Sequence, residues 1–113
     1  MNQHILSEGN LLDKNGNLVE AGYSVSEVRR YNREAICHGK LRIKEWDYYY
    51  IGNDEIGIAL TIADNGYMSL VSASLMDFVT KEFTTDSEIK FFSLGKLGLP
   101  ASSDSGVTKY ESN

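Results

Sequence analysis

The sequence predicts a mainly β fold: an antiparallel meander, forming a partial barrel or an open sheet, with one short N-terminal helix. Three observations predict it. From Lys40 to Met76 the pattern has a period of two, in runs rich in aromatic and β-branched residues. Asn53-Asp54 and Asn65-Gly66 punctuate those runs as turns. Helical spacing occurs convincingly in one place only, the stretch "SVSEVRRYNREAIC".

The 113 residues suit one domain, and 42% hydrophobic with 24% charged residues is ordinary for a folded globular chain. Residues 1–100 are expected to form the β-rich domain and residues 101–113 a polar tail or linker, because Gly, Ser and Asp dominate after the single proline, Pro100.

Residues 1–10 read as a loose terminus. In "LLDKNGNLVEAGY", Asn15-Gly16 separates Leu11-Leu12 from Leu18-Val19 and predicts a small hairpin or paired arm. The helix should follow. Ser24 and Glu27 have the spacing of a capping box, Val25, Val28 and Tyr31 form an apolar stripe, and Gly39 is a natural stop. Three strands come next, "IKEWDYYYIG", "EIGIALTIA" and "YMSLVSASLM". "VTKEFTT" and "EIKFFSL" read as two further strands around a polar turn near Asp86.

Two-residue loops at 53–54 and 65–66 would set the register. One face then carries Tyr49, Ile51, Ile56, Ile58, Leu60, Ile62, Val71, Ala73 and Leu75, and is the expected core. The other places Trp46, Tyr48 and Tyr50 opposite Thr61, Ala59 and Gly57, with Met68, Leu70, Ser72 and Ser74 beyond. Large rings over small residues admit two readings. They fill the volume that Gly57 and Ala59 leave, or they form a wall of ring faces and hydroxyls suited to a small molecule. On the second reading the ligand-binding residues are Trp46, Tyr48, Tyr50, Thr61, Ser72 and Ser74.

A net charge of −5 disfavours general nucleic-acid binding. The charge is uneven, however: Arg29, Arg30, Arg33, Lys40, Arg42 and Lys44 stand against Glu34 alone. This strip is ordinarily a solvated face with snorkelling side chains. Alternatively Arg29, Arg30, Arg33 and Arg42 form an anion-binding rim for an amphipathic ligand's headgroup.

No catalytic signature is present. Cys37-His38 are adjacent, which seldom lets the side chains meet productively, and no orienting acid is evident. His4, Cys37 and His38 are too few for a zinc site, and no phosphate-binding glycine pattern occurs. Neither metal nor cofactor is expected. The lone Cys37 excludes an intramolecular disulfide, no apolar run is long enough to span a membrane, and the start lacks secretory-signal character. The expected location is cytoplasmic.

"LLDKNGNLVEAGY", "YNRE", "LRIKEWDYYYIGND", "GIALTIADNGYMSL" and "LGKLGLP", in this order, resemble the start of the domain-of-unknown-function family numbered 2804. The resemblance covers residues 11–100, and the Trp-Asp-Tyr-Tyr-Tyr block is its most specific part. It implies a longer β-rich architecture of which this chain is the N-terminal portion, and it supplies no catalytic residue. An architectural likeness to lipocalin-like barrels and carotenoid hydratases is analogy alone. A meander without closing strands would leave an open edge, so either a homo-oligomer or poor solubility is expected. The functional expectation is a small apolar or amphipathic ligand on the aromatic face. The alternatives are an enzyme fragment whose catalytic residues lie elsewhere, or an assembly domain using the same face.

Overall fold

The computed structural model describes residues 3–111. They form two compact units: the residues up to His38 with Pro100–Val107, and Gly39–Leu99 with the segment from Thr108.

The second unit is the predicted meander. Strands β3 (Glu45–Gly52), β4 (Ile56–Asp64), β5 (Met68–Asp77) and β6 (Glu82–Phe91) form one antiparallel sheet in sequential order. The sheet is open rather than closed into a barrel, and β3 and β6 are its edges.

Both expected registers are displaced by two residues. Trp46 opposes Ala63, Tyr48 opposes Thr61, and Tyr50 opposes Ala59; in the next pair Ala63 opposes Leu70 and Ala59 opposes Ser74. The cause lies in the turns. The Asn53 side chain accepts from the amides of Glu55 and Ile56, each at 2.9 Å, so the first turn takes three residues. At the second, Asp64 accepts from the Gly66 amide at 2.9 Å, and Gly66 adopts φ 77° between Asn65 and Tyr67. Carboxylate and amide side chains that bind the backbone two residues on thus replace the tighter hairpin loops. Because side chains alternate with period two, an even displacement leaves every residue on its expected face.

The turn expected near Asp86 does not exist. The chain reverses at 78–81, where the Asp77 carboxylate accepts from the Val79 and Thr80 amides at 2.9 Å, and β6 then runs unbroken through Asp86. An edge strand exposed on both faces tolerates polar residues such as "TTDSE", and that polarity mimics a turn in the sequence.

Burial also departs from expectation. Among the described residues the buried apolar side chains are Ile43, Ala59 and Ala63, accompanied by Asp64, Ser69 and Ser93. The aliphatic face is largely open: Ile51 is 71% exposed, and Ile56, Ile58, Leu60 and Leu75 are also exposed. At one end of that face the C-terminal segment provides partners. Thr108 hydrogen-bonds Asp47 and Tyr49, and Tyr110 donates to Glu88 at 3.0 Å.

The first unit lacks the expected helix. Among the described residues its regular structure is one 3-10 turn, Arg33–Ala35, and a two-residue parallel pair of β1 (Gly9–Asn10) with β2 (Arg29–Arg30). Ser24 donates to the Ser26 carbonyl instead of capping a helix, and the Glu27 carboxylate is taken by the hydroxyls of Ser102 and Ser103. Val25, the first residue of the supposed apolar stripe, is 99% exposed. A helix this short depends on packing of its whole apolar face, and Val25 contributes nothing to it. Long-range partners win instead: Arg29 pairs with Glu20 and donates to Ser7 and the Asn10 carbonyl, contacts that extended backbone at 29–30 permits. The Asn15-Gly16 hairpin does form, bridged at Leu12 and Leu18, with Asp13 accepting from the Asn15 and Asn17 amides.

Candidate functional site

The face bearing the rings is built in cross-strand rows. One row reads Tyr48, Thr61, Ser72, Ser87; the next reads Tyr50, Ala59, Ser74, Thr85; the outermost reads Gly52, Gly57, Met76, Phe83. Small residues on β4 and the serines of β5 lie between Tyr48 and Tyr50 at one edge of the sheet and Phe83 at the other.

This profile produces a groove of about 440 Å³ within the second unit. Its floor and walls include Tyr48, Ala59, Thr61, Ser74, Met76 and Phe83, and the β5–β6 turn contributes Phe78. Ala59 is only 7% exposed, so it supplies the floor, whereas the Tyr48 ring stands exposed beside it. Ser74 and Thr85 share a hydrogen bond of 2.7 Å across the β5–β6 pair.

Gly57 lets two rings come close to the sheet. A β-carbon there would stand 2.9 Å from both Phe78 Cζ and Tyr50 Cε2. Tyr50 therefore leans along its strand over Gly57, although its direct cross-strand partner is Ala59. An aromatic ring covering a strand glycine in this way shields otherwise exposed backbone.

Of the residues expected to bind ligand, Tyr48, Thr61 and Ser74 line the groove. Trp46, Tyr50 and Ser72 share its face, with Trp46 64% exposed. Met76, Phe78, Phe83 and Thr85 were not among the expected residues. Misplacing the third turn hid the last three, because Phe83 and Thr85 pair with Met76 and Ser74 only once β6 starts at Glu82.

Of the residues expected to form an anion-binding rim, Arg29, Arg30 and Arg33 belong to the first unit and Arg42 to the second. The Arg29 side chain is almost buried against Glu20, and Arg30 lies 3.7 Å from Glu8.

A buried polar cluster lies at the other end of the sheet. Asp64 is 1% exposed and accepts from the Ser93 hydroxyl at 2.6 Å, the Gly66 amide at 2.9 Å and the Leu97 amide at 3.5 Å. Burial pushes its carboxyl up, but the bonds from Ser93, Gly66, Gly95 and Leu97 outweigh that and hold it below the usual range. Phe92 and Leu94, on either side of Ser93, adopt left-handed backbone at φ 60° and 53°. Every close partner of Asp64 is internal, which marks the cluster as an anchor for the chain leaving β6. The Asp-Asn-Gly triplet signals the turn in the sequence, but the reach to Ser93 is legible only in three dimensions.

A model of the domain of unknown function DUF2804 matches residues 2–113. The chain belongs to this family. Comparison of this DUF2804 chain with curated proteins and with solved structures yields no match. Among the described residues of this DUF2804 member, no group of three or more His, Cys, Asp or Glu is arranged to hold a metal ion, and no helix is long and apolar enough to cross a membrane.

Proposed function

We propose that this DUF2804 domain binds a small apolar or amphipathic molecule on its aromatic sheet face. The observation that carries the reading is the groove of about 440 Å³. It combines a floor of small residues, rings held at its sides and hydroxyls within reach, a combination common in small-molecule sites. The volume falls within the usual range for such sites, roughly 300 to 1,000 Å³.

The single tryptophan supplies the assay. Trp46 shares the face and is exposed, so a ligand settling there should alter its emission. A panel of lipids and aromatic metabolites is titrated against the wild-type chain and Thr85→Phe, which inserts a ring into the groove from an exposed edge-strand position. Saturable responses in the wild type, lost in a variant with unchanged circular dichroism, are expected. A panel without any saturable response would remove the reading.

A second reading has its own observation. Ile51, Ile56, Ile58, Leu60 and Leu75 form an exposed aliphatic surface on the opposite face, and surfaces of this kind commonly mark assembly. Self-association would appear as a concentration-dependent mass in light scattering. A monomer persisting at high concentration would speak against it.

A further inference from the structure

The two faces of the sheet differ in more than their apolar residues. Strand alternation sends Glu45, Asp47, Asp64, Asp77, Glu82, Asp86, Glu88 and Lys90 all to the aliphatic face. These are the only Asp, Glu, Lys or Arg residues in β3 to β6. The ring-bearing face therefore has no ionisable carboxylate, ammonium or guanidinium along its strands. Its side-chain polar groups are the indole N–H of Trp46 and the hydroxyls of tyrosine, serine and threonine.

Three charged residues do border the groove: Asp77, Lys81 and Glu82, at the β5–β6 turn. The Asp77 carboxylate is occupied by the Val79 and Thr80 amides. Glu82 pairs with Asp77 and shares its direction away from the rings. Lys81 sits in the turn, at the mouth.

We infer that the groove selects an uncharged ligand, an apolar molecule carrying a hydroxyl or carbonyl group, over carboxylates, phosphates and amines built on the same apolar body. The inference rests on the ligand-binding reading above and narrows it to a chemical class. A charged group laid among the rings, inward of Lys81 at the mouth, would surrender hydration without meeting a counter-ion, whereas a hydroxyl or carbonyl would find partners. In the Ser74–Thr85 pair either hydroxyl can be the donor, so the pair can turn to donate to a carbonyl or to accept from an alcohol.

Decanol, decanoate and decylamine test this at neutral pH. They share one alkyl body and are kept below aggregation, with Trp46 emission read on the full chain. Decanol should bind at least about fivefold more tightly than either ion, the low end expected for desolvating a polar group without compensation. Equal affinities, or an ion binding more tightly, would overturn the selectivity and leave ligand binding intact. Failure of all three to bind would overturn both. Thr85→Lys supplies the second arm, placing a cation beside Ser74 at an exposed position. It should improve decanoate relative to decanol by at least about threefold, the scale of an exposed ion pair. A decanoate-to-decanol affinity ratio unchanged from the wild type would place the ligand elsewhere and sink the inference.

Discussion

Replacing Asp64 by alanine should destabilise the second unit more than any other single carboxylate change. The side chain is 1% exposed, and its two shortest bonds come from Ser93 at 2.6 Å and Gly66 at 2.9 Å. A hydrogen bond to a charged group is worth roughly 1.5 to 3 kcal/mol, so losing both costs about 3 to 6 kcal/mol before relaxation. Ser93 can turn to another acceptor, which brings the expected loss to about 3 kcal/mol. Asp64→Asn retains an acceptor oxygen for Gly66 and Ser93 and should lose about 1 kcal/mol. The pH dependence gives an independent check. The folded carboxyl titrates below its ordinary value, so its stabilisation is complete above about pH 4 and disappears as pH falls through the lower folded value. Urea denaturation followed by circular dichroism, at neutral pH and across the acid range, measures both effects. A loss below about 1 kcal/mol for Asp64→Ala, or an unchanged acid limb in Asp64→Asn, would refute the anchoring role.

Gly57→Ala should cost about 1 kcal/mol and weaken ligand binding, because Phe78 and Tyr50 must withdraw from contacts of 2.9 Å; urea denaturation and Trp46 titration read the two effects. Glu27 should act as an acid-sensitive tie in the first unit. The Ser103 hydroxyl, then the Ser102 hydroxyl and the Ser103 amide, hold its carboxyl below the usual range, so the tie should persist above about pH 4.3 and release as pH falls through the folded value. The Ser103 amide shift in NMR would follow it, and Glu27→Gln should abolish the transition. Tyr110 should titrate above an ordinary phenol, since burial and the Glu88 carboxylate oppose its ionisation more than Lys90 favours it. Its contribution is therefore complete below about pH 10 and lost as pH rises through the raised value. The ultraviolet difference between wild type and Tyr110→Phe isolates that phenol, and Glu88→Gln should lower its midpoint.

The sheet was legible because a period of two survives an even error. Displacing both hairpins by two residues left Tyr49 and Ile51 together on one face and Trp46, Tyr48 and Tyr50 together on the other. The turn geometry was hidden because Asn53, Asp64 and Asp77 act through side-chain hydrogen bonds, whereas simple hairpin reasoning considers the backbone preference of the loop residues. The helix was misread for a different reason. Ser24 and Glu27 have capping spacing, but their real partners are the Ser26 carbonyl and the distant Ser102 and Ser103 hydroxyls. Local spacing cannot register competition from residues so far along the chain.

The placement of charge also explains why apolar exposure alone identifies no site in this sheet. Both faces expose large apolar side chains, from Ile51 and Leu75 on one to Trp46 and Phe83 on the other. The aliphatic face intersperses them with carboxylates and receives Thr108 and Tyr110 on Asp47 and Glu88, so two of its carboxylates already have partners within the chain. On the ring-bearing face, hydroxyls supply directional bonding without fixed charge. Strong ion pairing there would favour charged molecules irrespective of apolar shape; hydroxyls leave shape and neutral hydrogen bonding to decide what fits. A surface of that composition is better suited to discriminating among uncharged molecules than to capturing ions.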